Sequence, residues 1–459
     1  MNRRDMLRLI PLAAPGLLAS TRPISAGESL IFGHEPLPGE NPTLVYPRRI
    51  REMLTQVRST QSEKILEASY IIARAVERGN TIWSYWDQGH THRADIFPGR
   101  WGEPEIVTIG YDPQKSRKGD VFLASYPFSP DYLDDIRKKE ITVIGSPTPL
   151  SGDMKGVELA TPRTKKLLIR PVSSIWIETE IDILGAQVKI PGSYAPLGPE
   201  SGPLCGTIFW MMLADACRTL ARDGKSVKVK GDEPPLGKDL TYSSLDAPLM
   251  DDYFDEVMRQ LEMIGMELGN IRKMAGLAVD SLLAGGSVYF YSRYPECLAV
   301  EAVGRRGGYA FAKGCSDGAP VKGTVKDCVI MGIYTPDDSA DLKNLDAFRK
   351  SGMKVASIGP ITRDLRIPGG RTVPKETDVH IGRMADTYGL FALPGFERKI
   401  CPTSGILVTS VLWTMSTEIA YQIIDRTGGN VPGIYCNGAI VWDAWWDEQV
   451  RAMYETRGY

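Results

Sequence analysis

The sequence predicts an α/β protein made of two tandem three-layer α/β/α domains, each with a mostly parallel sheet of about five strands. Two observations carry this expectation. Five apolar residues at fourth-residue spacing occur twice, as Leu204, Ile208, Met212, Ala216, Leu220 and as Leu407, Val411, Met415, Ile419, Ile423. Each series follows a Ser-Gly pair (Ser201-Gly202, Ser404-Gly405), carries a Trp at the same place (Trp210, Trp413) and shares five of its first twelve positions with the other. Such spacing paints one face of a helix, and repetition at this length marks a duplicated domain. The second observation is that short apolar, β-branched and aromatic runs alternate with helical stretches ahead of each of these helices. That alternation gives a parallel sheet covered on both faces.

Residues 1–26 read as an export leader. Arg3, Arg4 and Arg8 make the start basic, residues 9–19 are apolar but broken by Pro11, Pro15 and Gly16, and Ile24-Ser25-Ala26 offers a small-residue cleavage site. Adjacent arginines followed by Met6-Leu7 resemble a bacterial twin-arginine signal, so the expected location is periplasmic or secreted. Cleavage removes four arginines and one aspartate and moves the formal charge from −2 to −5. Residues 27–44, with Pro36, Pro38 and Pro42, read as an irregular arm.

The first domain spans 45–224. Its elements are a helix over 62–78 ended by Gly79, a strand over 81–85, a strand over 121–124 after Asp120, a helix over 131–139, a strand over 141–145 and the helix over 201–220. Residues 225–249 are rich in Lys, Pro, Gly, Asp and Ser without periodicity, the composition of a linker. The second domain, 250–459, repeats the order: a helix over 269–283 ended by Gly285, a strand over 287–291, a strand over 328–331 after Asp327, a helix over 341–350, a strand over 354–359 and the helix over 404–423. At a constant offset of 206, Asp95 faces Glu301, Arg100 faces Arg306 and Gly102 faces Gly308.

With 459 residues, 43% of them apolar, the chain can fill two cores. No basic stripe is present, which argues against nucleic acid as a partner. No apolar run of about 20 residues follows the leader, so no membrane span is expected in the mature chain. The seven cysteines show neither a Cys-x-x-Cys pair nor zinc-ligand spacing and read as small buried hydrophobes. No cofactor and no metal is implied.

Cys401-Pro402-Thr403-Ser404-Gly405, leading into a helix with Glu418 near its middle, resembles the last helix of sugar isomerase (SIS) domains; Asp215 is the matching position in the first copy. Trp86-Asp87-Gln88-Gly89-His90-Thr91-His92-Arg93-Ala94-Asp95 resembles a Gly-x-Gly-His-Ser-His-x-x-Ala-Glu loop in an uncharacterised branch of that family. The tail over 431–459, with Asn437, Trp442, Trp445, Trp446 and Asp447, is similar to the same branch. The resemblance covers most of residues 60–459. It implies a five-stranded parallel sheet between helices with the ligand above the strand carboxyl ends, as in open α/β sheets generally. In the family's phosphosugar enzymes a Ser-x-Ser-Gly-x-Thr loop holds the phosphate at a helix N-terminus. The loops here, Ser125-Tyr126-Pro127-Phe128-Ser129-Pro130 and Ile333-Tyr334-Thr335-Pro336-Asp337-Asp338, depart from that pattern. Proline supplies no N–H, glycine is missing, and Asp337 with Asp338 repels phosphate. The first loop keeps Ser125 and Ser129 and suits a neutral sugar.

Four histidines occur in the chain: His34, His90, His92 and His380. His90 and His92 fall at the expected mouth of the first sheet, flanked by Asp87 and Asp95. An imidazole can move protons between adjacent sugar carbons near neutral pH, which makes His90 with Asp87 the catalytic candidate. Metal ligation and structural hydrogen bonding are its other readings, and His92 is expected to point away. Gln88, His92, Ser125 and Ser129 are candidate ligand contacts in the first copy. Arg293 and Glu296 are their counterparts in the second, with a solvated ion pair as the plainer explanation. Thr403 and Ser404 read as helix N-caps or ligand contacts, and Asp215 and Glu418 as mid-helix acids beyond the reach of capping, able to face solvent.

The function read from the chain is an exported SIS-like sugar-binding protein, degenerate in its phosphate loops, in which catalysis need not survive. Its tandem copies form an internal pseudo-dimer, with further homo-oligomerisation left open. One alternative is an isomerase of a sugar or sugar derivative using a His/carboxylate pair. The other is a metal-dependent sugar hydrolase or lyase drawing on the His/Asp cluster.

Overall fold

The computed structural model describes residues 33–86, 102–125, 130–147, 169–179, 181, 186–230, 236, 241–293, 298–303, 307–316, 321–361, 370–382, 389–435 and 444–459. Apolar alternation builds the first sheet. Val121 and Leu123 of β3 (Val121–Ala124) enter one core cluster, while Phe122 and Ala124 enter another on the opposite face. Around β3 lie β1 (Ile82–Tyr85), β2 (Val107–Ile109), β4 (Thr142–Gly145) and β5 (Ile175–Trp176), in the order β2-β1-β3-β4-β5. The second sheet comprises β6 (Val288–Ser292), β7 (Ala312–Ser316), β8 (Cys328–Gly332), β9 (Lys354–Ile358) and β10 (Val379–Ile381), in the order β10-β9-β8-β6-β7. Every pairing is parallel. Counted from its own first strand, each sheet reads 2-1-3-4-5, so the predicted duplication and fold class hold. The acids ahead of the strands are structural. Asp120 accepts from the Thr81 amide (2.9 Å) and the Trp83 indole (2.8 Å), and Asp327 accepts from the Ser287 amide (2.7 Å).

The helices, in chain order, are α1 (Val45–Glu77), α2 (Pro130–Lys138), α3 (Ser201–Arg222), α4 (Leu249–Met263), α5 (Leu268–Leu283), α6 (Leu298–Ala302), α7 (Ser339–Lys350), α8 (Val373–Glu376), α9 (Ser404–Thr427) and α10 (Ala444–Arg457). The repeated apolar helices are α3 and α9, and Trp210 and Trp413 are each buried at the tenth position. The helix predicted over 62–78 is only the second half of α1, which runs unbroken for 33 residues. Its counterpart in the second copy is interrupted at Ile264–Glu267 by a 3-10 turn holding Gly265, between α4 and α5. Of the arm, His34 pairs in a parallel bridge with Val188, and Pro42–Leu44 forms a 3-10 turn.

One core cluster contains residues of α1, α3, α4, α5 and α9 together with inward residues of both sheets. The two copies thus share a helical middle layer within one compact unit, Phe32–Tyr459. Smaller clusters lie on the outer faces, with Leu133 and Ile136 of α2 over the first sheet and Leu345 and Phe348 of α7 over the second. Among the described residues, α3 is long and apolar enough to cross a membrane, yet it is a buried core helix of this layer.

Asp215 and Glu418, for which a solvent-facing role is one reading of the sequence, are both buried and serve the other copy. The Asp215 carboxylate accepts from the Met250 amide (2.8 Å) and from Arg218 Nε (2.5 Å), capping α4 from outside that helix. Burial raises its pKa, opposed by those same donors. Glu418 accepts from the Thr43 hydroxyl ahead of α1 and from Gln422 Nε2 (2.9 Å). The backbone repeats this exchange, since the Gly198 amide donates to Gly307 O (3.0 Å) and the Cys401 amide to Gly102 O (3.0 Å).

Candidate functional site

In an open sheet of order 2-1-3-4-5 the crevice lies at the carboxyl ends of strands 1 and 3, where the connections part to opposite sides. In the first copy that is the edge formed by Tyr85, Ala124 and Gly145. Leu123 and Ile144 are paired in register and both enter the middle-layer core, so two residues further on Ser125 and Ser146 face the same layer. The Ser146 amide donates to Ala124 O (3.0 Å), keeping the two strands together past their ends.

Both serines are fully buried. The Ser125 hydroxyl is in hydrogen-bond contact with the Cys205 thiol in the second turn of α3. Among the described residues the Ser146 hydroxyl has no hydrogen-bond partner, which costs about 1–3 kcal/mol for a buried polar group. Trp86 closes this corner by donating its indole N–H to Cys205 O (2.9 Å). Glu200, fully buried just before α3, adds a carboxylate close enough to raise the Cys205 thiol, which burial above all pushes up to about 12. Sequence reasoning missed Ser146 and Glu200. The signal for Glu200 was its alignment with Thr403 in the repeat, whereas a lone serine ending a strand leaves none.

The second copy differs at every one of these points. By strand register Ser125 corresponds to Gly332 and Ser146 to Ile358. A Cβ on Gly332 would lie 2.6 Å from Leu298 Cβ, so α6 packs flush against the sheet there. Arg293 follows β6, and its Nη1 pairs with Asp338, the N-cap of α7. Arg293 is therefore ion-paired with Asp338 across β6 and β8, while Glu296, the partner expected of it, lies outside the described residues. Thr403 sits at the N-cap position of α9 without a side-chain cap bond; its hydroxyl accepts from Gln260 Nε2 of α4 (2.7 Å). Ser404 is fully buried at the first position of α9.

Asp87, Gln88, His90, His92, Ser129 and Glu296 lie outside the described residues, as does the proposed leader. Of the tail tryptophans, Trp446 donates its indole N–H to Ile434 O (2.8 Å) and packs on Tyr194.

Other chemistry can be weighed residue by residue. The five described cysteines are buried free thiols, each pushed up by burial, so none offers a thiolate near neutral pH. His380 Nδ1 lies 2.7 Å from Ser357 Oγ on the neighbouring strand, but that hydroxyl also lies 2.9 Å from Thr377 Oγ1 and is held within the sheet edge. Among the described residues no cluster of His, Cys, Asp and Glu suits a metal ion. Glu301 of α6 is buried, accepts from the Trp413 indole (2.9 Å) and is raised to about 8, with burial outweighing that bond. A cavity of about 410 Å³ lined by Leu236, Tyr242, Phe396, Glu397 and Arg398 opens beside the linker, and none of its lining residues belongs to a strand mouth.

No family model matches the chain, and no curated protein matches it in sequence. Solved structures similar to it include the C-terminal domain of glucosamine-fructose-6-phosphate aminotransferase from Francisella tularensis, at 11% identity and a TM-score of 0.42, covering 83% of this chain and 97% of that one. A protein assigned as a phosphosugar isomerase from Clostridium difficile 630 aligns at 10% identity and a TM-score of 0.44, covering 89% and 97%. Glucosamine-6-phosphate deaminase from Thermotoga maritima aligns at 9% identity and a TM-score of 0.39, covering 86% and 97%. The fold class rests on the strand orders of the two sheets themselves.

Proposed function

We propose that this chain is an exported SIS-like sugar-binding protein whose ligand docks over the carboxyl ends of β1, β3 and β4 in the first copy. The observation that carries the reading is the placement of Ser125 and Ser146 side by side past β3 and β4, with the Ser146 hydroxyl lacking a partner among the described residues, where the second copy has Gly332 and Ile358. A sugar hydroxyl both donates and accepts, which is what an orphaned serine hydroxyl lacks. The motifs at 86–95 and 401–405 and the tandem 2-1-3-4-5 sheets support the SIS-like assignment. Under this reading the leader over 1–26 exports the protein, so the ligand is a neutral sugar or sugar acid rather than a cytoplasmic sugar phosphate.

The test is calorimetric titration of wild type and Ser146→Ala with D-fructose, D-gluconate and D-glucose 6-phosphate. A neutral sugar or the sugar acid should bind at one site per chain, and Ser146→Ala should weaken binding about tenfold, the worth of one hydrogen bond. The empty variant should be no less stable than wild type, since its unpaired hydroxyl is gone. Binding of glucose 6-phosphate alone, or of none of the three, sinks the reading.

A further inference from the structure

We propose that Asp338 is a built-in counter-anion that closes the second copy's crevice to phosphate and other oxyanions. The switch point of the second sheet lies between β6 and β8. Arg293 leaves the end of β6, and Asp338 opens α7 directly after the turn that follows β8. One carboxylate oxygen of Asp338 takes Arg293 Nη1. The other takes the amides of Ala340 (2.9 Å) and Asp341 (3.1 Å).

A guanidinium and the first amides of a helix are the donors by which an anionic ligand is held at such a place. Here a carboxylate of the chain itself holds Arg293 Nη1 and the amides of Ala340 and Asp341. Its side chain is 16% exposed and that of Arg293 39%, so the pair is partly shielded from water, where charge-assisted bonds keep more of their strength. Asp341, the other acid of the first turn, accepts the Tyr291 hydroxyl (3.0 Å), whose ring packs in the outer core cluster. The wild-type crevice thus presents one negative charge already bound, and an oxyanion has to displace it against like-charge repulsion. This concerns the copy that the proposed sugar site does not use, and it stands or falls independently of that reading.

The experiment is titration of purified full-length chain with inorganic phosphate at low ionic strength, following heat or the 31P resonance. Asp338→Ser keeps a good N-cap for α7 while removing the charge. It should bind phosphate at least about tenfold tighter than wild type. The double variant Asp338→Ser/Arg293→Ala should fall back to the wild-type value. Should Asp338→Ser not fold by circular dichroism, Asp338→Asn, nearly isosteric, replaces it and should shift in the same direction by a smaller factor. A folded variant with unchanged phosphate affinity overturns the proposal. So does wild-type phosphate binding that Arg293→Ala abolishes, because the crevice would then already be open.

Discussion

Glu301 shows how a single buried carboxyl writes a pH dependence into the whole protein. Its pKa stands near 8 against 4.5 for the free side chain, with burial as the main cause and the Trp413 indole opposing it. The folded protein therefore keeps this proton to higher pH than the unfolded chain does. The associated stability is complete below about 4.5 and is lost as pH rises to about 8, a swing on the order of several kcal/mol. Urea denaturation across that window should show wild type losing stability relative to Glu301→Gln, which has no proton to lose and keeps an acceptor for Trp413. Parallel curves for the two proteins would rule the account out. The acid was legible in the sequence only as the partner of Asp95 in the repeat, because nothing in a local pattern reveals burial. Arg293 and Asp338 teach the same lesson. Repulsion of phosphate could be read from Asp337 and Asp338, but the partner that occupies Asp338 lies 45 residues away and only the parallel sheet brings it there.

The turn before each long helix carries an exacting backbone. Gly198 has φ +86° and Cys401, at the same place in the repeat, φ +61°, both in the left-handed region. At Gly198 a Cβ would lie 2.7 Å from the ring of Tyr46, whose hydroxyl is tied to Pro199 O at 2.6 Å and leaves the ring little room to yield. Gly198→Ala should cost about 3 kcal/mol through overpacking and backbone strain together, read as a lower urea midpoint at unchanged slope. A loss under about 0.5 kcal/mol, the range of an ordinary surface change, would contradict this. The central strands and α3 and α9 were legible because β-branched runs and fourth-residue spacing are strong, local signals. The edge strands were not: β5 has two residues, β10 three, β2 is largely exposed, and β7 (Ala312–Ser316) interrupts its run with Lys313 and Gly314, so none shows an apolar pattern long enough to read. The first half of α1 was hidden by its polar face, with Arg48, Arg49, Arg51 and Glu52 close together and Pro47 in the first turn, a position proline tolerates.

Because the middle helices belong to both copies, the two sheets do not have separate cores to lose. Calorimetry should give one unfolding transition in which calorimetric and van't Hoff enthalpies agree; two resolved peaks assignable to the two sheets would show that the copies melt independently. The exchanged bonds of Asp215 and Glu418 also fix an order of events during synthesis. Asp215 precedes the helix it caps, so that bond can close as soon as α4 emerges. Glu418 lies 375 residues beyond Thr43, and the first helix of the protein must wait for the last long one before its leading turn is secured. A ribosome-bound chain stopped before α9 therefore holds an unfinished first copy, and contacts of such long range close slowly. Under the export proposed for this chain, by a twin-arginine route that carries folded cargo, nearly the whole chain has to be made before any of it is fit to travel.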